Sequence, residues 1–179
     1  MTTTEEYLDT PETVLPRELA FGVMRVADAP VVSHQRVVRD LTRALTACAR
    51  DGRLGEVLPA PIDVILDRGK DLIVQPDLVF VSAGRAEIVG DRIHGAPDLV
   101  VEVLSPHPRI GRLHEKIEWF ARYGVKECWL IDLARRQVAV LTFADERVGN
   151  RGLFLDADPI ASRILTGLRL TPIDIFGYL

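Results

Sequence analysis

The stretch "PDLVVEVLS", residues 97 to 105, constrains the fold more than any other part of the chain. Side chains alternate along a strand, so Asp98, Val100, Glu102 and Leu104 share one face, with Leu99, Val101 and Val103 on the other. Apart from the carboxylates both faces are apolar. Such a strand must be covered on both sides, as inside a layered α/β domain. Glu102 stands at the centre of the run, where an unpaired carboxylate would be costly, so it requires a cationic partner, a proton or a bound metal ion.

The rest of the chain supplies the covering layers. From Ser33, read as an N-cap, apolar residues Val37, Val38, Leu41, Ala44, Leu45 and Cys48 recur at helical spacing as far as Asp51-Gly52. "IDVILD" (62 to 67) and "PDLVFVS" (76 to 82) read as two further strands bounded by turn residues. After "SPHP" the helical period returns from about Gly111 to Tyr123. "CWLID" and "QVAVLTF" then form a hairpin around Leu133 to Arg136. A short strand near Leu153 and a helix after Thr171-Pro172 complete the tail. This order predicts a single α/β domain over residues 17 to 179, a mixed sheet with helices on its faces, preceded by a loosely held polar arm, 1 to 16.

Apolar residues are 47% of the chain and charged ones 27%, which excludes disordered and disulfide-scaffold classes. Net charge is −4, so the bulk field would repel a polyanion and any nucleic-acid contact must be local. Residues 107 to 136 provide such a locality, with Arg109, Arg112, Lys116, Arg122, Lys126, Arg135 and Arg136. Cys48 and Cys128 match no metal-finger spacing, no signal-peptide pattern is present and no apolar run suits a membrane helix, so a cytoplasmic protein is expected.

Asp98 and Glu102 cannot share one ion, since their Cα atoms lie about 13 Å apart along a strand. Asp77 can come closer. If the strand it opens runs antiparallel to the next, Asp77 falls beside Glu102, while Asp98 falls near Val81 or Ser82. Asp77 and Glu102, with the carbonyl of Val103, would then make a hard-cation site for Mg²⁺ or Mn²⁺ with positions left for water and phosphate. On the following helix Leu113, Ile117, Phe120, Ala121 and Gly124 form the expected core stripe, and Arg112, Lys116, Trp119 and Tyr123 a separate one. Lys116 is one of three lysines among 22 basic residues.

The segments "SHQRVVRDLTRAL", "VQPDLVFVS", "GAPDLVVEVLSP" and "HEKIEWFARYGVKECWLID" resemble, in order and spacing, the PD-(D/E)XK nuclease superfamily and within it the Uma-two family of restriction-endonuclease-like proteins. The resemblance implies a restriction-endonuclease-like fold and a Mg²⁺-dependent endonuclease acting on nucleic acid, with DNA as substrate and a homodimer as the working form. It implies Asp77 as the PD aspartate and Glu102 as the second acid. The usual strand lysine is replaced by Leu104, and Lys116 matches the helix lysine that takes over in this family. His34 also matches a family position. Arg112, Trp119 and Tyr123 then become candidate substrate contacts, and Asp98 a supporting residue behind the site.

Each residue also has a plainer reading. Glu102 could be salt-bridged to Arg109 or Arg112; Asp77 and Asp98 follow prolines and could simply open strands. His34 could be a helix histidine without a role, and Trp119 and Tyr123 core aromatics. A catalytically inactive binding domain that keeps the nuclease fold is the competing functional reading.

Overall fold

The structure, a computed structural model, describes residues 1–11, 15–27, 29–104 and 113–177. Its elements in chain order are α1 (Thr4–Leu8), β1 (Arg17–Ala20), β2 (Val23–Val26), α2 (Val32–Asp51), β3 (Gly55–Pro59), β4 (Val64–Asp67), β5 (Leu72–Val74), β6 (Leu78–Ser82), β7 (Ile93–His94), β8 (Leu99–Leu104), α3 (Leu113–Tyr123), β9 (Glu127–Asp132), β10 (Gln137–Ala144), β11 (Arg147–Leu155) and α4 (Pro172–Phe176).

The fold is a mixed α/β architecture, with the strands divided between two sheets rather than gathered in one. The larger has the order β11-β10-β9-β8-β6-β3, the smaller β2-β1-β5-β4-β7. In the larger sheet only β8 and β9 run parallel, which a short turn cannot connect. The connection carries α3 instead.

Burial follows the alternation expected for β8. Val101 and Val103 join Leu78, Phe80, Trp129 and Ile131 on the face covered by α2, the tail and α4. Val100, with Val79, Cys128 and Leu130, faces α3 and the smaller sheet, contributed by Val64, Leu72 and Val74. The outer face of the smaller sheet packs Leu19, Ile65 and Ile73 against Tyr7 of α1. Glu102 therefore points between the two sheets.

Helix α2 buries the predicted stripe Val37, Val38, Leu41, Leu45 and Ala49. Its N-cap lies two residues before Ser33: Val31 holds that position and makes no side-chain capping bond. Val31 and Val32 are exposed, so water can serve the free N–H groups of the first turn and a polar cap is not required. Within residues 1–16, Thr4–Leu8 is helical, closed by a capping box between Thr3 and Glu6, with Tyr7 fully buried. The tyrosine hydroxyl donates to Asp63 Oδ1 at 2.9 Å.

The hairpin turns as expected, with Gln137 opposite Asp132. The strand anticipated near Leu153 is the nine-residue β11, and α4 starts from Thr171, which shares a capping box with Asp174.

Candidate active site

β6 and β8 pair antiparallel with Leu78 opposite Val101 and Val79 opposite Val100. Continuing that register by one residue sets Asp77 against Glu102. At the other end of the pair Asp98 Oδ2 accepts from Ser82 N–H at 2.8 Å, so the two Pro-Asp carboxylates lie at opposite ends of the strand pair.

Asp77 sits where β6 has not yet begun. Its Oδ2 accepts the N–H of Val103 at 2.7 Å, continuing the ladder with a side chain. Its Oδ1 lies 3.2 Å from Nε2 of His34, which the first turn of α2 brings in from the other layer. The imidazole is buried, and its Nδ1 has no hydrogen-bond partner. Val103 thus meets Asp77 through its backbone N–H.

Glu102 projects toward α3, where the Nζ of Lys116 lies 2.6 Å from its Oε1. The same ammonium donates to Oε1 of Glu18 at 2.8 Å. Side-chain exposures of 15% for Lys116, 13% for Glu102 and 10% for Glu18 place all of them away from bulk water. Burial pushes the Glu102 carboxyl upward, Lys116 pulls it down, and Asp77 and Glu18 push it up again, leaving it at about 7. Burial alone would depress Lys116, but Glu102 and Glu18 outweigh it and hold the ammonium protonated.

Glu18, from β1, was not singled out by sequence. Its signal was the one that exposed Glu102, a carboxylate among strand residues, but "RELA" is only four residues long and begins with a charge. Gln75 fixes it: the Gln75 N–H donates to Glu18 Oε1 at 3.0 Å, while the Gln75 side chain accepts from Arg17 N–H at 3.2 Å and donates to Asp63 Oδ1 at 2.8 Å.

The other expected contacts are placed differently. Trp119 is buried, edge-on to Phe21 with ring centroids 5.6 Å apart and with the Arg25 guanidinium 5.5 Å above it. Lys70 stands 5.5 Å over the ring of Tyr123. The second stripe of α3 is thus covered by the smaller sheet and its flanking turns, and both rings already have protein partners. Arg112 and Arg109 lie outside the described residues.

Asp98 is 1% exposed and has its own cations, Lys126 and Arg85. Burial would raise its pKa, but Lys126, the Ser82 N–H and Arg85 more than compensate and hold it at about 2. A depressed folded-state pKa gives stability that is complete above the unfolded value and is lost as pH falls through the folded one. Asp98→Asn is therefore expected to remove about 2 kcal/mol of the stability lost between about pH 4 and pH 2. Urea midpoints measured across that range check this; parallel wild-type and variant curves would refute it.

The Lys116 ammonium is shared by Glu18 and Glu102, with Asp77 next in the register, and Glu102 Oε1 makes no properly angled hydrogen bond. Among the described residues no three His, Cys, Asp or Glu side chains converge as a closed metal cage. Two carboxylates are nevertheless the usual protein share of a Mg²⁺ site, and Asp77 and Glu102 are the two that the strand register sets side by side.

A protein from Anabaena variabilis ATCC 29413, described as "a putative nuclease belonging to DUF820", has a similar solved structure. It superimposes with a TM-score of 0.85 over 99% of this chain and 98% of its own, at 20% identity, a likeness of fold. No curated protein matches. Residues 4–172 match the family Uma2, described as "Putative restriction endonuclease". A match over that share of the sequence makes this chain a member of the Uma2 family.

Proposed function

We propose that the chain is a divalent-cation-dependent endonuclease that hydrolyses phosphodiester bonds in nucleic acid, with DNA as its substrate. The observation that carries this reading is the register of β6 against β8, which sets Asp77 beside Glu102 with the Lys116 ammonium in contact. Asp77 and Glu102 would hold Mg²⁺ or Mn²⁺. When bound, the ion supplies Lewis-acid polarisation of the phosphoryl group and makes water more acidic.

The chain's own residues do the rest. The Val103 N–H and His34 fix both oxygens of Asp77, so that this carboxylate is oriented before any ligand arrives. Lys116 provides a fixed positive charge for the oxygens on which charge develops during cleavage. It comes from α3 because the strand position two residues beyond Glu102 is Leu104, which has no charge to give. Trp119 and Tyr123 frame the site through their packing, and the basic residues around α3, Arg112 among them, supply backbone phosphate contacts against an overall acidic chain. A homodimer would present two such sites to the two strands of a duplex. No helix among the described residues is long and apolar enough to cross a membrane.

Titration with Mn²⁺ by calorimetry and a plasmid-nicking assay test the proposal together. Saturable binding to about one site, lost in a D77N/E102Q double variant, and nicking abolished by a chelator are expected. Nicking that survives chelation, or no cation binding by the wild type, would reject it.

A further inference from the structure

We infer that Glu18 is a positioning residue for the Lys116 ammonium, an inference that rests on the nuclease reading only for what the ammonium then does. Lysine is a flexible side chain ending in a compact charge, so one carboxylate contact leaves it considerable freedom. Here it is held from both sheets at once, by Glu102 of the larger and by Glu18 of the smaller.

The two carboxylates are not equivalent. Glu102 faces Asp77 in register and has a second duty toward the cation. Glu18 lies on another sheet and is braced by the Gln75 N–H, whose side chain is braced in turn by Arg17 and Asp63. Tyr7 at 2.9 Å and Arg92 at 3.2 Å fix Asp63 from behind. Glu18 is 8% exposed, and Lys116 is the cation in contact with it among the described residues. A carboxylate buried to that degree is tolerable only when its charge is answered. Lys116 answers that charge, and Glu18, braced by Gln75, keeps the ammonium anchored whether or not Glu102 is engaged elsewhere.

The test uses Glu18→Gln, which keeps an oxygen for the Gln75 N–H, alongside Glu18→Ala, Lys116→Met and the Glu18→Gln/Lys116→Met pair in the full chain. The sequence has three lysines, Lys70, Lys116 and Lys126, so their ammonium resonances in a ¹⁵N-lysine-labelled sample can be assigned by substitution. The wild type is expected to show one slowly exchanging ammonium, from Lys116, and Glu18→Gln to speed its exchange with water by about tenfold or more. Cleavage by Glu18→Gln is expected to fall by about tenfold or more in kcat, with KM changed less than about twofold, and to fall no further when Lys116 is already methionine.

Unchanged ammonium exchange in Glu18→Gln overturns the positioning role whatever the activity. A loss of kcat equally large in the Lys116→Met background does so too, because it would mean that Glu18 acts elsewhere. If exchange quickens as expected but the wild type cleaves nothing, the positioning stands and the nuclease reading fails.

Discussion

Glu102→Gln is expected to abolish cation-dependent cleavage, lowering kcat on the order of a thousandfold or more, while leaving the far-UV circular dichroism unchanged. The size follows from removing one of the two acids proposed to hold the ion, since metal assistance contributes several kcal/mol to such reactions and about 1.4 kcal/mol corresponds to tenfold in rate. The fold should survive because glutamine keeps the shape and Lys116 keeps Glu18 at 2.8 Å. Glu102 is also a carboxylate whose charge burial disfavours, so a neutral amide relieves desolvation while Lys116 loses a partner. The net change in stability should be within about 1 kcal/mol. Cleavage within about tenfold of wild type would sink the assignment of Glu102, since no other carboxylate occupies its place in the register opposite Asp77.

The largest effect on stability is expected from a residue remote from the chemistry. Glu127 opens β9 and is wholly buried, yet its partners are neutral donors. Its Oε1 accepts from the Trp129 indole at 2.7 Å and from Ser162 Oγ at 2.6 Å, and its Oε2 from the Arg163 N–H at 2.9 Å. Ser162 Oγ passes the organisation on, accepting from the N–H groups of Ile164 and Leu165. The carboxylate thereby ties the tail, with its buried Ile160, Leu165 and Leu170, to the central sheet. Glu127→Ala strands those donors and is expected to cost about 3 to 5 kcal/mol, at about 1 to 3 kcal/mol for each buried group left unpaired. A matching drop in the urea midpoint measures it; a shift worth less than about 1 kcal/mol would show that water replaces the carboxylate.

Much of the larger sheet was legible because its strands are long enough to carry a pattern. The apolar runs around Leu78–Ser82 and Leu99–Leu104 gave the strands; their antiparallel pairing was a condition of the reading, and the observed register meets it, setting Asp77 against Glu102. Of the smaller sheet only β4, within "IDVILD", was legible. β5 has three residues and β7 two, too few for a period to declare itself, and β2 is an exposed edge strand with no core pattern. That gap had two consequences at the site. Glu18 went unnoticed because its strand did, and for Trp119 and Tyr123 the choice between substrate contact and core aromatic stayed open because the layer against them had no pattern in the sequence. Ser33 illustrates a smaller loss: a good capping residue lies inside the first turn because the preceding valines are solvated.

Because the acids of the candidate centre come from one sheet and the brace for its lysine from the other, chemistry depends on the seam between them. A seam of that kind can open by a fraction of an ångström with both sheets still hydrogen-bonded internally. Mild heat or low urea should therefore silence the proposed cleavage ahead of any spectroscopic melting, so that a residual-activity curve becomes a gauge of inter-layer docking.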